Sequence, residues 1–358
     1  MDNIVKIDEN NINQVNPTEV VFKLISGLKP RTKDIIVKRF GLDNSKKQTL
    51  EEIGKFHGIT RERVRQIESA TLKDLKKNNE MVLLNKCESI LEEIILKCGS
   101  LAEHNNLMND FNGSLNSVKV HENVVEFILN ISDKFKFFDE TDNTHRGWGL
   151  KKSSLDIPQK VVEALVDNLT NKKKPLTEDE AIKSVLNHSI AKENSIEDQD
   201  AVKSYLNLSK IVLSNPYNEW GLSSWSEIIP KGVKDKAYLV LKKHGKPLHF
   251  TGITEQINEV NFGGKKAIPQ TVHNELIKDN RFVLVGRGMY ALVEWGYSSG
   301  TVAEVIEDVL RKADGPITKD DLINEVLKQR IVKRNTIVLA LQNKDKFVKT
   351  EDRKYTLE

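Results

Sequence analysis

The chain has 358 residues, a length that predicts two or three domains of about 150 residues each, or more domains if they are small. Hydrophobic residues make up 38% of the sequence and charged residues 30%, which supplies apolar side chains for cores but leaves no apolar run long enough to cross a bilayer. The net charge of +3 is unevenly spread, because residues 29 to 77 hold fourteen Lys or Arg and seven Asp or Glu, and the rest is mildly acidic. Such a local basic segment is typical of a polyanion-binding surface, although a solvated helix face has the same composition.

The N-terminal residues 1 to 16 are polar, rich in Asn and scattered with acids, and we expect them to form a disordered tail. They lack the basic and apolar stretches of a secretory signal. We therefore expect a cytoplasmic protein.

Four short helices are predicted between residues 17 and 78. Apolar residues recur at helical spacing in 21–28 and again in 35–40, with a Gly and a Pro between them. The run Thr49-Leu50-Glu51-Glu52 is a capping box and predicts a helix from Leu50 to Phe56, because the side chains of Thr49 and Glu52 can each accept from the other's backbone N–H. Gly58 permits a tight turn after this helix, and Thr60 can cap the fourth.

The fourth helix is predicted to be amphipathic. At about 100° per residue, one side of it carries Val64, Ile67, Thr71 and Leu75, which we expect to pack on the preceding helices. The opposite side carries Arg61, Glu62, Arg65, Gln66 and Ser69. Arg, Gln and Glu are the side chains that pair with base edges in the major groove of DNA, and a ladder of surface salt bridges is the alternative interpretation.

Several separated blocks of this segment closely resemble region four of the sigma-70 family of bacterial RNA polymerase initiation factors, and their spacing also matches. The blocks are Leu28-Lys29-Pro30-Arg31, Arg39-Phe40-Gly41-Leu42, Thr49 to Gly54 and Thr60 to Glu68. The resemblance implies a helix-turn-helix whose second helix enters the major groove of the promoter −35 element. By position, it implies that the base-contacting residues are Arg61, Glu62, Arg65 and Gln66, and that the DNA backbone is held by Arg31, Thr49 and Leu50.

In that family the same domain also binds the flap of the polymerase β subunit, so the resemblance implies RNA polymerase core as a second partner beside double-stranded DNA. It covers only about sixty residues. No segment resembles the family's promoter-melting region two, so we do not expect a self-sufficient initiation factor.

The remaining sequence repeats one pattern four times: a basic residue opens an apolar strand, a polar turn follows, and a second strand containing an aromatic residue ends in Leu. The final leucines are Leu150, Leu222, Leu292 and Leu357. Helical patterns precede the hairpins, and three helices with a two-stranded hairpin make a winged helix. The third copy, with Lys246 to Phe250 ahead of its hairpin, resembles the HARE-HTH winged helix, a class that includes the N-terminal domain of the RNA polymerase delta subunit. The fourth copy resembles it moderately.

The partner of these repeats is left open by the sequence. Their share of the chain is not basic, so the phosphate attraction that dominates nonspecific DNA affinity is weak there, and contact with polymerase is favoured. If they bind DNA instead, the candidates are Arg287 at a wing tip, and Gln270 and Asn274 on the third helix of the third copy.

Enzyme and cofactor signatures are not evident in the sequence. There is no Gly-Lys-Ser/Thr phosphate loop and no His-Glu-x-x-His pair. Cys87 and Cys98 lie in one helical pattern about 16 Å apart, too far for a disulfide, and are expected to be small core residues. We predict no enzyme activity, no cofactor, no metal site and no small-molecule substrate.

The predicted fold class is mostly α, with a sigma region-4-type helix-turn-helix followed by an array of small winged-helix (α+β) domains. The predicted domains are the tail 1–16, the helix-turn-helix 17–78, two winged-helix-like units at 79–152 and 153–229, the HARE-HTH unit 230–298 and a HARE-HTH-like unit 299–358. The predicted function is a sequence-specific, nucleoid-associated DNA-binding transcription protein that also associates with RNA polymerase. The alternative is a polymerase-binding accessory protein whose helix-turn-helix recognises the β flap without specific DNA binding.

Overall fold

The computed structural model describes residues 16–77, 84–115, 119–260 and 262–358. Two compact units can be distinguished: one holds the described residues up to Leu213 together with Trp220–Ser223, and the other holds Ser214–Glu219 and Ser224–Glu358. The predicted disordered tail lies outside the described residues except for Asn16, whose side chain caps the first helix. In the described part of the chain, no helix combines the length and the apolar character needed to span a membrane.

Short helices dominate the chain, as the predicted fold class requires. The α-helices of the described residues are α1 Pro17–Leu24, α2 Pro30–Phe40, α3 Leu50–His57, α4 Arg61–Lys76, α5 Asn85–Lys97, α6 His104–Ser114, α7 Glu122–Ile131, α8 Asp156–Lys172, α9 Glu178–Leu186, α10 Ser189–Glu193, α11 Gln199–Leu208, α12 Val233–His244, α13 Phe250–Val260, α14 Pro269–Lys278, α15 Val302–Lys312, α16 Lys319–Gln329 and α17 Arg334–Ala340. The strands are β1 Leu101–Glu103, β2 Phe135–Phe138, β3 Gly147–Leu150, β4 Leu176–Thr177, β5 Val212–Ser214, β6 Glu219–Leu222, β7 Leu248–His249, β8 Phe282–Gly286, β9 Met289–Leu292, β10 Phe347–Lys349 and β11 Tyr355–Leu357.

Helices α1 to α4, which we call the head, begin and end at the signals that the sequence carries. The capping box at Thr49 and the cap at Thr60 are both confirmed. Gly41 and Gly58 end α2 and α3 with φ of 64° and 65°, a left-handed conformation that glycine adopts without steric cost. The predicted third helix ends at His57, one residue later than expected.

Four repeats follow the head, and each has the order helix, strand, helix, helix, strand, strand, with the short α10 added in the second. They run from α5 to β3, from α8 to β6, from α12 to β9 and from α15 to β11. In the first three, the opening strand pairs with the last strand, giving the sheets β1-β3-β2, β4-β6-β5 and β7-β9-β8. In the fourth, the opening strand is reduced to a bridge between Ile317 and Tyr355. The four predicted wing hairpins are thus confirmed.

One hydrophobic core joins the head to the first repeat. Helices α1, α2 and α4 all pack on α7, the third helix of that repeat. The Phe40 ring meets the buried Phe127 ring edge to face at 5.1 Å between centroids. The boundary predicted after residue 78 lies in 78–83, outside the described residues, and the segments on either side share this core.

The second repeat packs on the first through its own third helix, α11. The Tyr205 hydroxyl donates to the carbonyl oxygen of Gly99 at 2.6 Å, and the Ser204 hydroxyl donates to that of Leu101 at 2.8 Å. The third helices of the first two repeats are therefore occupied by contacts within the chain.

The third and fourth repeats have separate cores and are connected along the edge of β8. The Ile331 N–H donates to the carbonyl oxygen of Val285 at 2.8 Å, and Arg330 Nη1 donates to that of Leu284 at 2.5 Å. Their third helices, α14 and α17, bury only a few residues each and leave one face exposed.

Candidate nucleic-acid interface

Helix α4 has the two-sided character that its sequence predicts. Val64, Thr71 and Leu75 are buried, and Ile67 is half-buried. Val64 forms a small cluster with Ile35 of α2 and Ile53 of α3, so α4 packs on both preceding helices. The opposite side is exposed and carries Arg61, Glu62, Arg65, Gln66 and Ser69.

Three of these exposed side chains form a network along the helix. Arg65 donates from Nε to Glu62 Oε2 at 2.9 Å and from Nη2 to Glu62 Oε1 at 2.7 Å, and Gln66 Nε2 lies 3.5 Å from the same Oε1. The hydrogen bond from Arg65 lowers the pKa of the Glu62 carboxyl, and the carboxylate in turn raises the pKa of the Arg65 guanidinium. The unbound helix therefore carries the salt-bridge ladder considered above, built from the same side chains that are predicted to contact bases.

Two further basic residues share this exposed surface and were not selected from the sequence. Arg63 Nη1 donates to Gln66 Oε1 at 3.1 Å, and Lys73 is exposed farther along the helix. At about 100° per residue, Lys73 projects between Glu62 and Gln66. The angular position alone could have identified Lys73, whereas the resemblance pointed only to the first two turns.

The three residues predicted to hold the DNA backbone lie near the start of α2 and at the start of α3. Arg31 is exposed, and its Nη2 donates to the carbonyl oxygen of His57 at 2.6 Å, next to the turn between α3 and α4. Leu50 is half-buried and packs on the small cluster around Val64, so a DNA contact at Leu50 involves its backbone N–H rather than its side chain.

Thr49 caps α3 and is itself held by Glu52. The Glu52 N–H donates to the Thr49 hydroxyl oxygen at 3.2 Å, and Glu52 Oε2 accepts from the Thr49 backbone N–H at 2.7 Å. These bonds, the backbone one first, lower the pKa of the Glu52 carboxyl. The beginning of α3 therefore has a fixed geometry, with its remaining N–H groups facing outward.

Polar contacts also connect the helices of the head to one another. His57 Nε2 at the end of α3 lies 2.8 Å from Asp34 Oδ2 of α2. Arg39 of α2 forms an ion pair with Glu68 of α4, with Nε to Oε2 at 3.2 Å, and its Nη1 donates to the carbonyl oxygen of Gln48 at 3.3 Å. The angle between α3 and α4 is thus set by packing and by paired charges.

The alternative DNA candidates lie in the third repeat, away from the head in sequence. Gln270 and Asn274 are exposed on α14 and lie 3.4 Å apart, from Gln270 Nε2 to Asn274 Oδ1. Arg287 is exposed in the turn between β8 and β9.

The cysteines behave as the sequence predicts. Both are free, Cys87 is buried and Cys98 is half-buried. Burial raises the pKa of the Cys87 thiol to about 11, so this thiol stays protonated at neutral pH.

One sequence of an enzyme type is present at Gly296-Tyr297-Ser298-Ser299-Gly300, which has the Gly-x-Ser-x-Gly spacing of a nucleophile elbow. That elbow requires a strand before the Ser and a helix after it, but this Ser follows a 3-10 turn at Val293–Trp295. The Ser298 hydroxyl donates to Gln329 Oε1 at 2.6 Å, and the Ser298 carbonyl oxygen accepts from Arg330. Ser298 therefore serves in the connection between the third and fourth repeats.

The arrangement of α3, a tight turn and an exposed α4 is that of a helix-turn-helix. Residues 24–77 match the family described as Sigma-70, region 4, and residues 232–295 match the HARE-HTH family, described as an ASXL and restriction endonuclease HTH domain. Both are families of DNA-binding domains and not enzyme families. The head is thus a DNA-binding helix-turn-helix related to sigma factors.

Curated relatives match the chain over the head alone. The RNA polymerase principal sigma factor HrdD of Streptomyces coelicolor is 52% identical over 60 residues, which is 17% of this chain and 18% of the relative. The RNA polymerase sigma factor SigA of Nostoc is 42% identical over 64 residues, which is 18% of this chain and 16% of the relative. SigA of Clostridium acetobutylicum is 45% identical over 58 residues, 16% of this chain and 15% of the relative. The chain thus spans less than a fifth of the length of these relatives.

Proposed function

We propose that the head binds promoter-like DNA in a sequence-specific manner, with α4 in the major groove. Arg65 pairs with guanine, Gln66 with adenine and Glu62 with the amino group of cytosine, and Arg61 contacts the adjoining base. The observation that supports this most strongly is the exposure of the whole row on α4 while the opposite side of the helix is buried.

Contacts to the phosphate backbone come from the start of α3 and from Arg31. The N–H groups at Thr49 and Leu50 lie at a helix N-terminus, where the helix dipole favours an anion. The net charge of +7 over residues 29 to 77 supplies the long-range attraction to DNA.

RNA polymerase core is the proposed protein partner, through its β flap. The support is the name of the curated relatives, which are RNA polymerase sigma factors. Because no segment resembles region two, we propose a non-enzymatic protein that acts beside polymerase and does not itself open DNA.

The alternative function is binding of the β flap without specific DNA binding. It is favoured by Phe56 of α3, whose large apolar side chain is 68% exposed and has Lys38 Nζ over its ring at 4.1 Å. Exposed aromatic side chains beside charge are common in protein interfaces.

The two functions are separated by incubating the full chain with a pool of random-sequence duplexes at fixed salt and sequencing the duplexes that it retains. Enrichment of one motif, bound more tightly than random duplex, supports the proposed function. No enrichment, together with retention of purified polymerase core after nuclease treatment, supports the alternative. Loss of both activities contradicts both.

A further inference from the structure

Helix α7 has an unusual position for the third helix of a winged helix, the helix that commonly enters a DNA groove. Its residues Asn123 to Leu129, and Ile131, are all buried. One side of α7 packs on its own repeat and the other on α1, α2 and α4 of the head. The helix cannot enter a groove while the head is in place.

Two polar side chains of α7 contact the loop of the head between α2 and α3, residues 41–48. Asn123 is 5% exposed, and its Nδ2 donates to the carbonyl oxygens of Gly41 at 3.1 Å and Ser45 at 3.4 Å. One turn later, the Glu126 carboxylate accepts from Lys47 Nζ. Both interactions join residues about eighty positions apart in sequence.

Glu126 is held in place from the side of the first repeat. Its Oε1 lies 3.3 Å from Nε2 of the fully buried His104 and 3.8 Å from Arg146 Nη1. Trp148 Nε1 donates to His104 Nδ1 at 3.3 Å, so the imidazole proton of neutral His104 is on Nε2 and faces Glu126. Glu126 therefore connects the wing and core of the first repeat to the head.

The loop 41–48 is tightly constrained and leads directly into α3. A Cβ on Gly41 would lie 2.6 Å from Asn123 Nδ2 and 2.5 Å from the carbonyl oxygen of Ser45. The Gln48 N–H donates to the carbonyl oxygen of Lys38 at 3.0 Å. The next residue is Thr49, the N-cap of α3, so the position of this loop determines where α3 begins.

We propose that Asn123 and Glu126 are positioning residues for DNA recognition, which hold the loop 41–48 and thereby orient α3 and α4 without touching DNA. The inference rests on the proposed function. Base contacts need side chains placed within about half an ångström, whereas nonspecific attraction needs only the charge of the head. Both residues lie outside 24–77, the segment related to sigma factors.

The test uses the full chain with Glu126→Gln and Asn123→Asp, two changes that keep the shape of the side chain. Glu126→Gln releases Lys47 from its carboxylate and makes this surface more positive. We expect its affinity for the selected duplex to fall about tenfold, while its affinity for random duplex is unchanged or higher. Asn123→Asp loses the two donated hydrogen bonds and is expected to lose a similar factor on the selected duplex.

Ser204→Ala is the matched control, because Ser204 is also buried and donates to a backbone carbonyl from a third helix, but in the second repeat. It is expected to leave affinity for both duplexes unchanged. All proteins are compared at a temperature where their circular dichroism equals that of the parent, and if one α7 variant does not fold, the other decides.

Parent-like affinity of the folded α7 variants for the selected duplex would overturn the inference. So would proportional losses on both duplexes, which a purely structural role produces. The inference alone fails if the parent is selective, Arg65→Ala abolishes that selectivity and the α7 variants retain it. A parent that selects no sequence shows instead that the proposed function has failed.

Discussion

Glu62 and Arg65 lie one turn apart on α4 and are joined by two parallel hydrogen bonds, of 2.9 and 2.7 Å. Their side chains are 58% and 61% exposed, so water screens the pair and its formation contributes little to stability. Both groups can therefore exchange each other for a base edge at small cost.

Arg65→Ala is expected to weaken binding to the selected duplex by about 1 to 3 kcal/mol, with a smaller loss on random duplex and an unchanged melting temperature. Titration of labelled duplexes measures this. The control is Lys97→Ala, which breaks an equally exposed ion pair with Glu93 on α5 and should not affect DNA binding. Equal losses on selected and random duplex would contradict base contact by Arg65.

Arg31→Ala is expected to weaken binding to both duplexes by the same factor, because a phosphate contact carries no sequence information. The slope of log affinity against log salt should become shallower by about 1. Arg311→Ala, which removes an exposed Arg from α15 in the fourth repeat, is the control for a simple loss of charge. A loss confined to the selected duplex would show that Arg31 is not a phosphate contact.

Phe127→Ala is expected to lower the free energy of unfolding by about 3 to 5 kcal/mol, because it leaves a cavity between α7 and the head. Since the head and the first repeat share this core, amide exchange should accelerate in α2 as well as in α7. Phe137→Ala, at a side chain that is 39% exposed on β2, should cost much less. Unchanged protection of the head amides would show that the head folds independently.

His104 predicts a pH dependence of stability. Burial, followed by the charge of Arg146, lowers the pKa of His104 below its ordinary value of 6.5, although Glu126 acts in the opposite direction. Between the lowered folded-state pKa and 6.5, the unfolded state binds more protons, so stability is complete above 6.5 and is lost as the pH falls through that window.

The check is denaturant unfolding of the parent and of His104→Gln across that range. The excess stability of the parent over the variant is expected to decrease as the pH falls from 7.5 to about 5, since protonation would also remove the acceptor for Trp148 Nε1. A difference that does not vary with pH would mean that His104 is not kept neutral by the fold.

Much of the head could be predicted from local signals. A capping box, a Gly in the left-handed conformation and a 100° periodicity each act within a few residues, so the boundaries of α3 and the exposed side of α4 followed from the sequence. The four hairpins followed from repetition of one strand pattern. The base-contacting role of Arg61, Glu62, Arg65 and Gln66 stays a prediction.

The sequence alone determined which side of each helix is apolar, but only the tertiary structure decided what covers that side. Helix α7 looks amphipathic enough to be an exposed third helix, and its Asn123 and Glu126 look like surface residues. They are buried because the chain returns some eighty residues later to the loop of the head, and a periodic pattern carries no information about a partner at that distance. The union of the head with the first repeat therefore follows from long-range packing of apolar surface that neither segment could bury by itself.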